Sequence, residues 1–142
     1  MNRVPMGLVE DAANHHADIW VNQGAPPPKQ PWIEFDGDKV VRDERGIARG
    51  GVRLPQINAP LARHDAIPTS PGMLAFLCGS STPFDAAEIV ALYSDEAGYM
   101  KRFNEAAGQA VASGVLMERE VAALAEEARA DFRRFTSQTK NT

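Results

Sequence analysis

Apolar residues follow a helical period at both ends of the chain and lose it in the middle. Near the amino terminus Val9, Ala13, His16 and Trp20 recur at steps of three and four, so they share one helix face. Leu8, Ala12 and Ile19 widen that face. Gly24 suits the position just past a helix end, and Ala25-Pro26-Pro27-Pro28 cannot continue the helix. The pattern predicts a helix over residues 5–24. Its stripe is broad for a first helix and needs a substantial cover. His16 lies on the stripe and is expected to be buried and hydrogen-bonded, with His15 nearer the edge.

Residues 31–81 show no helical period until their end. Trp32-Ile33-Glu34-Phe35 reads as a short strand, Asp36-Gly37 as a hairpin turn and Lys39-Val40-Val41-Arg42 as the return strand. Asp43-Glu44-Arg45-Gly46 is a second turn. Gly50-Gly51-Val52-Arg53-Leu54-Pro55 follows, then Pro60, Pro68 and Pro71. So much Pro and Gly predicts a long irregular excursion, of the kind that often carries function.

Residues 82–136 return to helix. Thr82-Pro83-Phe84-Asp85 predicts a hydroxyl N-cap with Pro at the first helical position and an acid two residues on. Ser94-Asp95-Glu96 opens the next helix, with Tyr99, Phe103, Ala106 and Ala110 on one face and Gly114 at its end. Val121, Leu124, Ala128, Phe132 and Phe135 line the last helix. The short Gly114-Val115-Leu116 link makes the last two an antiparallel hairpin. The expected fold is one unit over residues 1–142, mainly α with a small β-hairpin or meander.

Composition narrows the chemistry. The net charge of −4 offers no clustered basic excess for nucleic acid. No apolar run reaches membrane length, and residues 1–7 carry no secretory pattern, so a cytoplasmic setting is expected. A single cysteine, Cys78, precludes an internal disulfide and a multi-cysteine zinc site. It lies in an apolar run and reads as a buried thiol. Asp36, Asp38, Asp43 and Glu44 fail the calcium-loop pattern, because Val40 stands at the third ligand position. They suit turns, with Arg42 and Arg45 pairing to nearby acids. No metal and no cofactor is expected.

No catalytic residue is expected either. Gly-x-Ser-x-Gly, which sets a serine on a strained strand-to-helix turn, does not occur. Cys78-Gly79-Ser80-Ser81 comes nearest, and its serines read as turn or capping residues. His64 is the one histidine placed where a substrate could meet it, and a surface role is open to it as well. Arg53 follows two glycines with no acid adjacent, so it is a candidate clamp or a structural arginine.

An ordered set of segments points further. A helix ending Trp20-Val21 with Gly24-Ala25-Pro26-Pro27-Pro28 is followed by Asp43-Glu44, Gly46, Ala48 and Gly50-Gly51-Val52-Arg53-Leu54-Pro55. Pro60, Ala62, Leu77-Cys78-Gly79, Pro83-Phe84-Asp85 and Leu92-Tyr93 complete it. This order resembles the carboxy-terminal third of bacterial α/β-hydrolase domain-containing proteins, from about Pro5 to about Ala130. The resemblance implies a fold that is the carboxy-terminal portion of an α/β-hydrolase-type protein, with the nucleophile and catalytic histidine upstream of the proline-rich boundary. The first helix would match the last helix of the hydrolase core. Gly50, Gly51 and Arg53 would lie near a substrate pocket, or else build only a tight turn. The function so implied is fold completion or pocket shaping with an upstream hydrolase chain, or self-association over the same surface. A small esterase-like enzyme around His64, Asp65 and Arg53 is the alternative, and a helical protein-interaction module is another.

Overall fold

The computed structural model describes residues 4–65 and 79–137. Cys78 and the prolines at 68 and 71 lie outside them. Helix α1, Met6–Gln23, stops at Gly24, whose φ of 74° is left-handed and whose N–H donates to the Trp20 carbonyl at 2.9 Å. Ala12 is its one fully buried residue, while Leu8 and Val9 pack partly on the core. Trp20 remains 55% exposed, so much of the predicted stripe is left uncovered.

The meander is present and closes on itself. Strands β1 (Phe35–Asp36) and β2 (Lys39–Val40) pair antiparallel, with Phe35 opposite Val40. Residues 47–51 then border both arms of that hairpin. Arg49 N donates to Val41 O at 2.9 Å, and Glu34 N donates to Arg49 O at 3.0 Å. The Asp43 carboxylate accepts from Arg45 N at 3.0 Å and Ile47 N at 2.9 Å, which makes it a turn residue. Arg45 pairs with Glu44 at 3.3 Å. Arg42 instead donates to Gly46 O at 2.7 Å and reaches Asp65 at 4.0 Å.

Two stretches depart from the expected irregular loop. Pro55–Asn58 forms a single helical turn, α2, with Pro55 at its start. Strand β3, Ala62–Asp65, pairs antiparallel with β4, Ser80–Pro83, bringing His64 opposite Ser81. Thr82 is therefore a strand residue and not a helix cap. Pro83 has no N–H, and Phe84 N donates to Leu61 O at 3.0 Å, so the extended backbone runs on to Asp85. Asp85 is the N-cap of α3 (Ala86–Tyr93), its carboxylate accepting from Glu88 N at 2.7 Å.

Ser94 ends α3 with φ 66°, and Asp95 caps α4 (Glu96–Ala112) by accepting from Gly98 N at 2.8 Å. A 3-10 turn at Glu118–Glu120 leads into α5, Val121–Ser137. Arg133, late in α5, grips Glu96 at the start of α4 with two bonds of 2.7 and 2.8 Å, so the two helices run antiparallel. The core lies between α3, α4 and α5 and receives Leu54 and Leu61 from the α2 region. Tyr99 stacks on Phe132 at 5.3 Å and meets the edge of Tyr93 at 5.0 Å. The Tyr93 hydroxyl donates to Pro60 O at 2.8 Å, tying the segment before β3 to the helices. Burial pushes that phenol up to about 12, so it keeps its proton for this bond.

Candidate functional site

The β3–β4 pair stands beside α2, α4 and α5, and a cleft of about 400 Å³ opens between them. Gln56, His64, Ser81, Glu127 and Asp131 contribute to its polar lining, and Leu61, Ala62 and Phe135 supply apolar surface. His64 and Ser81 are cross-strand partners, so their side chains emerge on the same face of the ribbon. His64 Nδ1 and Ser81 Oγ share a hydrogen bond of 2.7 Å. Burial pushes the imidazole below its ordinary 6.5, against the opposing pull of Asp65. The ring is therefore neutral at pH 7.

A hydrolytic triad needs more than this pair. Its base must be oriented by a third group, and its nucleophile must be presented to substrate beside oxyanion donors. The Asp65 carboxylate accepts from Arg63 Nε at 2.9 Å and lies 4.0 Å from Arg42, so two arginines engage it. Ser81 lies on extended backbone and not on a strand-to-helix elbow. The pair is equipped to hydrogen-bond a ligand.

The residues singled out in the sequence separate into two groups. Gly50, Gly51 and His64 come together on a smaller cavity of about 150 Å³, walled by Ile33, Val52 and Ile57. His64 also lines the larger cleft and so stands between the two. Gly50 serves a close approach to the chain's own backbone, and Gly51 a close approach to the Ile33 side chain. Both have φ 71°, and a Cβ on Gly50 would lie 2.1 Å from Trp32 O. Arg53 does not line that cavity and borders a separate one of about 170 Å³ together with Gly51. Its Nη1 donates to Ala48 O at 2.9 Å and its Nε to Asn58 Oδ1, so it staples the meander to α2.

The α1 stripe lines a different feature. Val9, Ala13, His16 and Trp20 form one wall of an apolar groove of about 320 Å³, with Pro28 and Val52 opposite. His16 is partly buried there, and its Nε2–H donates to Gly114 O at 3.0 Å. His15 is exposed. Among the described residues no helix is long and apolar enough to cross a membrane.

Gln56 and Ser81 carry polar chemistry in the cleft that the sequence reading missed. Nothing local marks Ser81 as the partner of a residue 17 positions earlier. A family model described as alpha/beta hydrolase domain matches residues 1–126. No curated protein and no solved structure matches the chain.

Proposed function

The chain belongs to an alpha/beta hydrolase domain family, and from that premise we propose that it completes a hydrolase fold and shapes its pocket without turning over substrate by itself. One observation carries this reading: much of the apolar side of α1, Trp20 above all, lacks a cover. Helices of α/β proteins bury their stripe against a sheet. Among the described residues the only sheets are two-stranded antiparallel pairs, and α1 lies on neither as a layer. Trp20 is 55% exposed, and on the meander Trp32 is 91% and Phe35 61% exposed. Val52 lines both the α1 groove and the meander cavity, so it links the two apolar regions. Large apolar surface of this kind marks an interaction site.

The fitting occupant is the sheet layer of a hydrolase body that carries the nucleophile, in keeping with the absence of Gly-x-Ser-x-Gly from this sequence. In the purified chain a second copy would cover the same face. We carry a cytoplasmic setting with this reading.

The His64–Ser81 bond favours a second reading, a small esterase-like enzyme with an unorthodox site. A panel of p-nitrophenyl acyl esters separates the two. We expect the purified chain to release nitrophenol no faster than its His64→Ala variant. Turnover well above background that disappears in His64→Ala would defeat the fold-completion reading.

A further inference from the structure

We propose that Arg53 forms a binding site for a small monocarboxylate in the cavity of about 170 Å³ between the meander, α2 and the end of α4. This goes beyond fold completion and stands on that cavity alone. A guanidinium holds its N–H donors in a rigid planar fork. Two of the three nitrogens of Arg53 are in use: Nη1 donates to Ala48 O at 2.9 Å and Nε to Asn58 Oδ1. Nη2 has no partner among the described residues. It shares an edge of the fork with Nε, so its N–H on that edge points to the side where Asn58 lies. Asn58 and Arg53 both line the cavity. Arg133 shows what that edge takes when it is filled, since it holds both oxygens of Glu96 through Nε and Nη2 at 2.7 and 2.8 Å.

Charge selects the ligand. Arg42, Arg45 and Arg63 of the same region each lie within 4.0 Å of an acid. Arg53 pairs with none among the described residues, and no Asp or Glu stands in the cavity wall. An arginine keeps its positive charge at any physiological pH. One opposing charge lies close. The C-terminal end of α4 carries roughly half a negative charge, and Ala110 and Ser113 there border the cavity. Its carbonyls are already occupied, Ser113 O by Gln30 Nε2 at 2.7 Å and Ala110 O by Val115 N at 3.0 Å. The whole charge of Arg53 exceeds that half, so the cavity favours one negative charge over two. Asn58 Oδ1 is committed to Arg53, which leaves the Asn58 Nδ2 donor, and Gln109 adds a second side-chain amide. Pro31 and Ala110 supply apolar wall for a short alkyl chain.

Four probes test this by ¹H–¹⁵N NMR on the full chain at constant ionic strength and pH: propanoate, propanol, propylamine and inorganic phosphate. Propanoate is expected to give saturable shifts at the Arg53 Nε–H and at the Asn58 and Gln109 side-chain amides. It should bind about tenfold tighter than propanol, the equivalent of one charge-assisted hydrogen bond. Propylamine should not saturate, and phosphate should bind more weakly than propanoate. Gln109→Glu leaves the Arg53 staple in place and brings a carboxylate to the cavity, so propanoate binding should fall to the level of propanol. Arg53→Gln, with a dispersed spectrum confirming the fold, should do the same. Equal affinity for propanoate and propanol in the parent protein would overturn the proposal without recourse to any variant. So would failure of propanoate to saturate, tighter binding of phosphate or propylamine, or propanoate binding that survives undiminished in Gln109→Glu.

Discussion

Replacing Phe103 by alanine is expected to remove about 3–5 kcal/mol of unfolding free energy, the range for an aromatic side chain deleted from a packed core. Phe103 is fully buried on α4 and joins the cluster that gathers Leu54 from before α2, Ile89 from α3 and Leu124 and Phe132 from α5. Tyr99 lies 5.9 Å away, ring to ring. The neighbours are large, and they come from four different segments. They cannot all close on the void, so the cavity persists. A domain has about 5–15 kcal/mol of net stability, so the loss is a large fraction of the whole. Urea unfolding followed by circular dichroism reads it directly. A change below about 1 kcal/mol would mean that the helical layer is not the folding core. The point bears on function, because an uncovered α1 face is informative only if the layer beneath it folds firmly.

Gly50→Ala should give the second-largest effect, about 2–4 kcal/mol, from left-handed strain and backbone overlap together. At φ 71° an alanine is strained, and its Cβ would sit 2.1 Å from Trp32 O. That same oxygen accepts from Gly51 N at 3.1 Å. The collision cannot be relieved by turning a side chain, so the pairing of residues 32–34 with 49–51 must open. Gly37→Ala is the control. Its φ is 62°, yet nothing lies within 4 Å of the added Cβ, so it should lose only about 1 kcal/mol. Hydrogen exchange at the Glu34 and Gly51 amides should speed up in Gly50→Ala and stay slow in Gly37→Ala. Similar losses in the two variants would remove the close approach to Trp32 as the reason for a glycine at position 50.

The helices were legible in the sequence because their signals are local and redundant. Phe103, Ala106 and Ala110, or Leu124, Ala128, Phe132 and Phe135, repeat at helical steps, and all of them are buried. The meander was legible through Asp36-Gly37 and the Asp43 turn. The β3–β4 ribbon was not. Its strands are polar, short and far apart in sequence, and β4 ends in Pro83, which reads as the first turn of a helix. Propensity pointed one way, and the Phe84–Leu61 bond, which is long-range, decided the other. The cleft inherits that difficulty. Gln56, His64 and Ser81 come from three segments that only the folded backbone brings together. Arg53 was marked in the sequence by the two glycines before it, and its side chain serves as a staple between Ala48 and Asn58. Gly50, Gly51 and His64 line one cavity, a grouping that no local sequence signal marks.

The stripe of α1 is covered by the core at Leu8, Val9 and Ala12 and open at Trp20. Multi-angle light scattering of the purified chain across the micromolar range tests that open surface most directly, beside a Trp20→Glu/Trp32→Glu double variant. Fold completion through this face predicts a dimer or larger assembly for the parent chain and a monomer of unchanged helix content for the variant. A parent chain that stays monomeric at every concentration would contradict it.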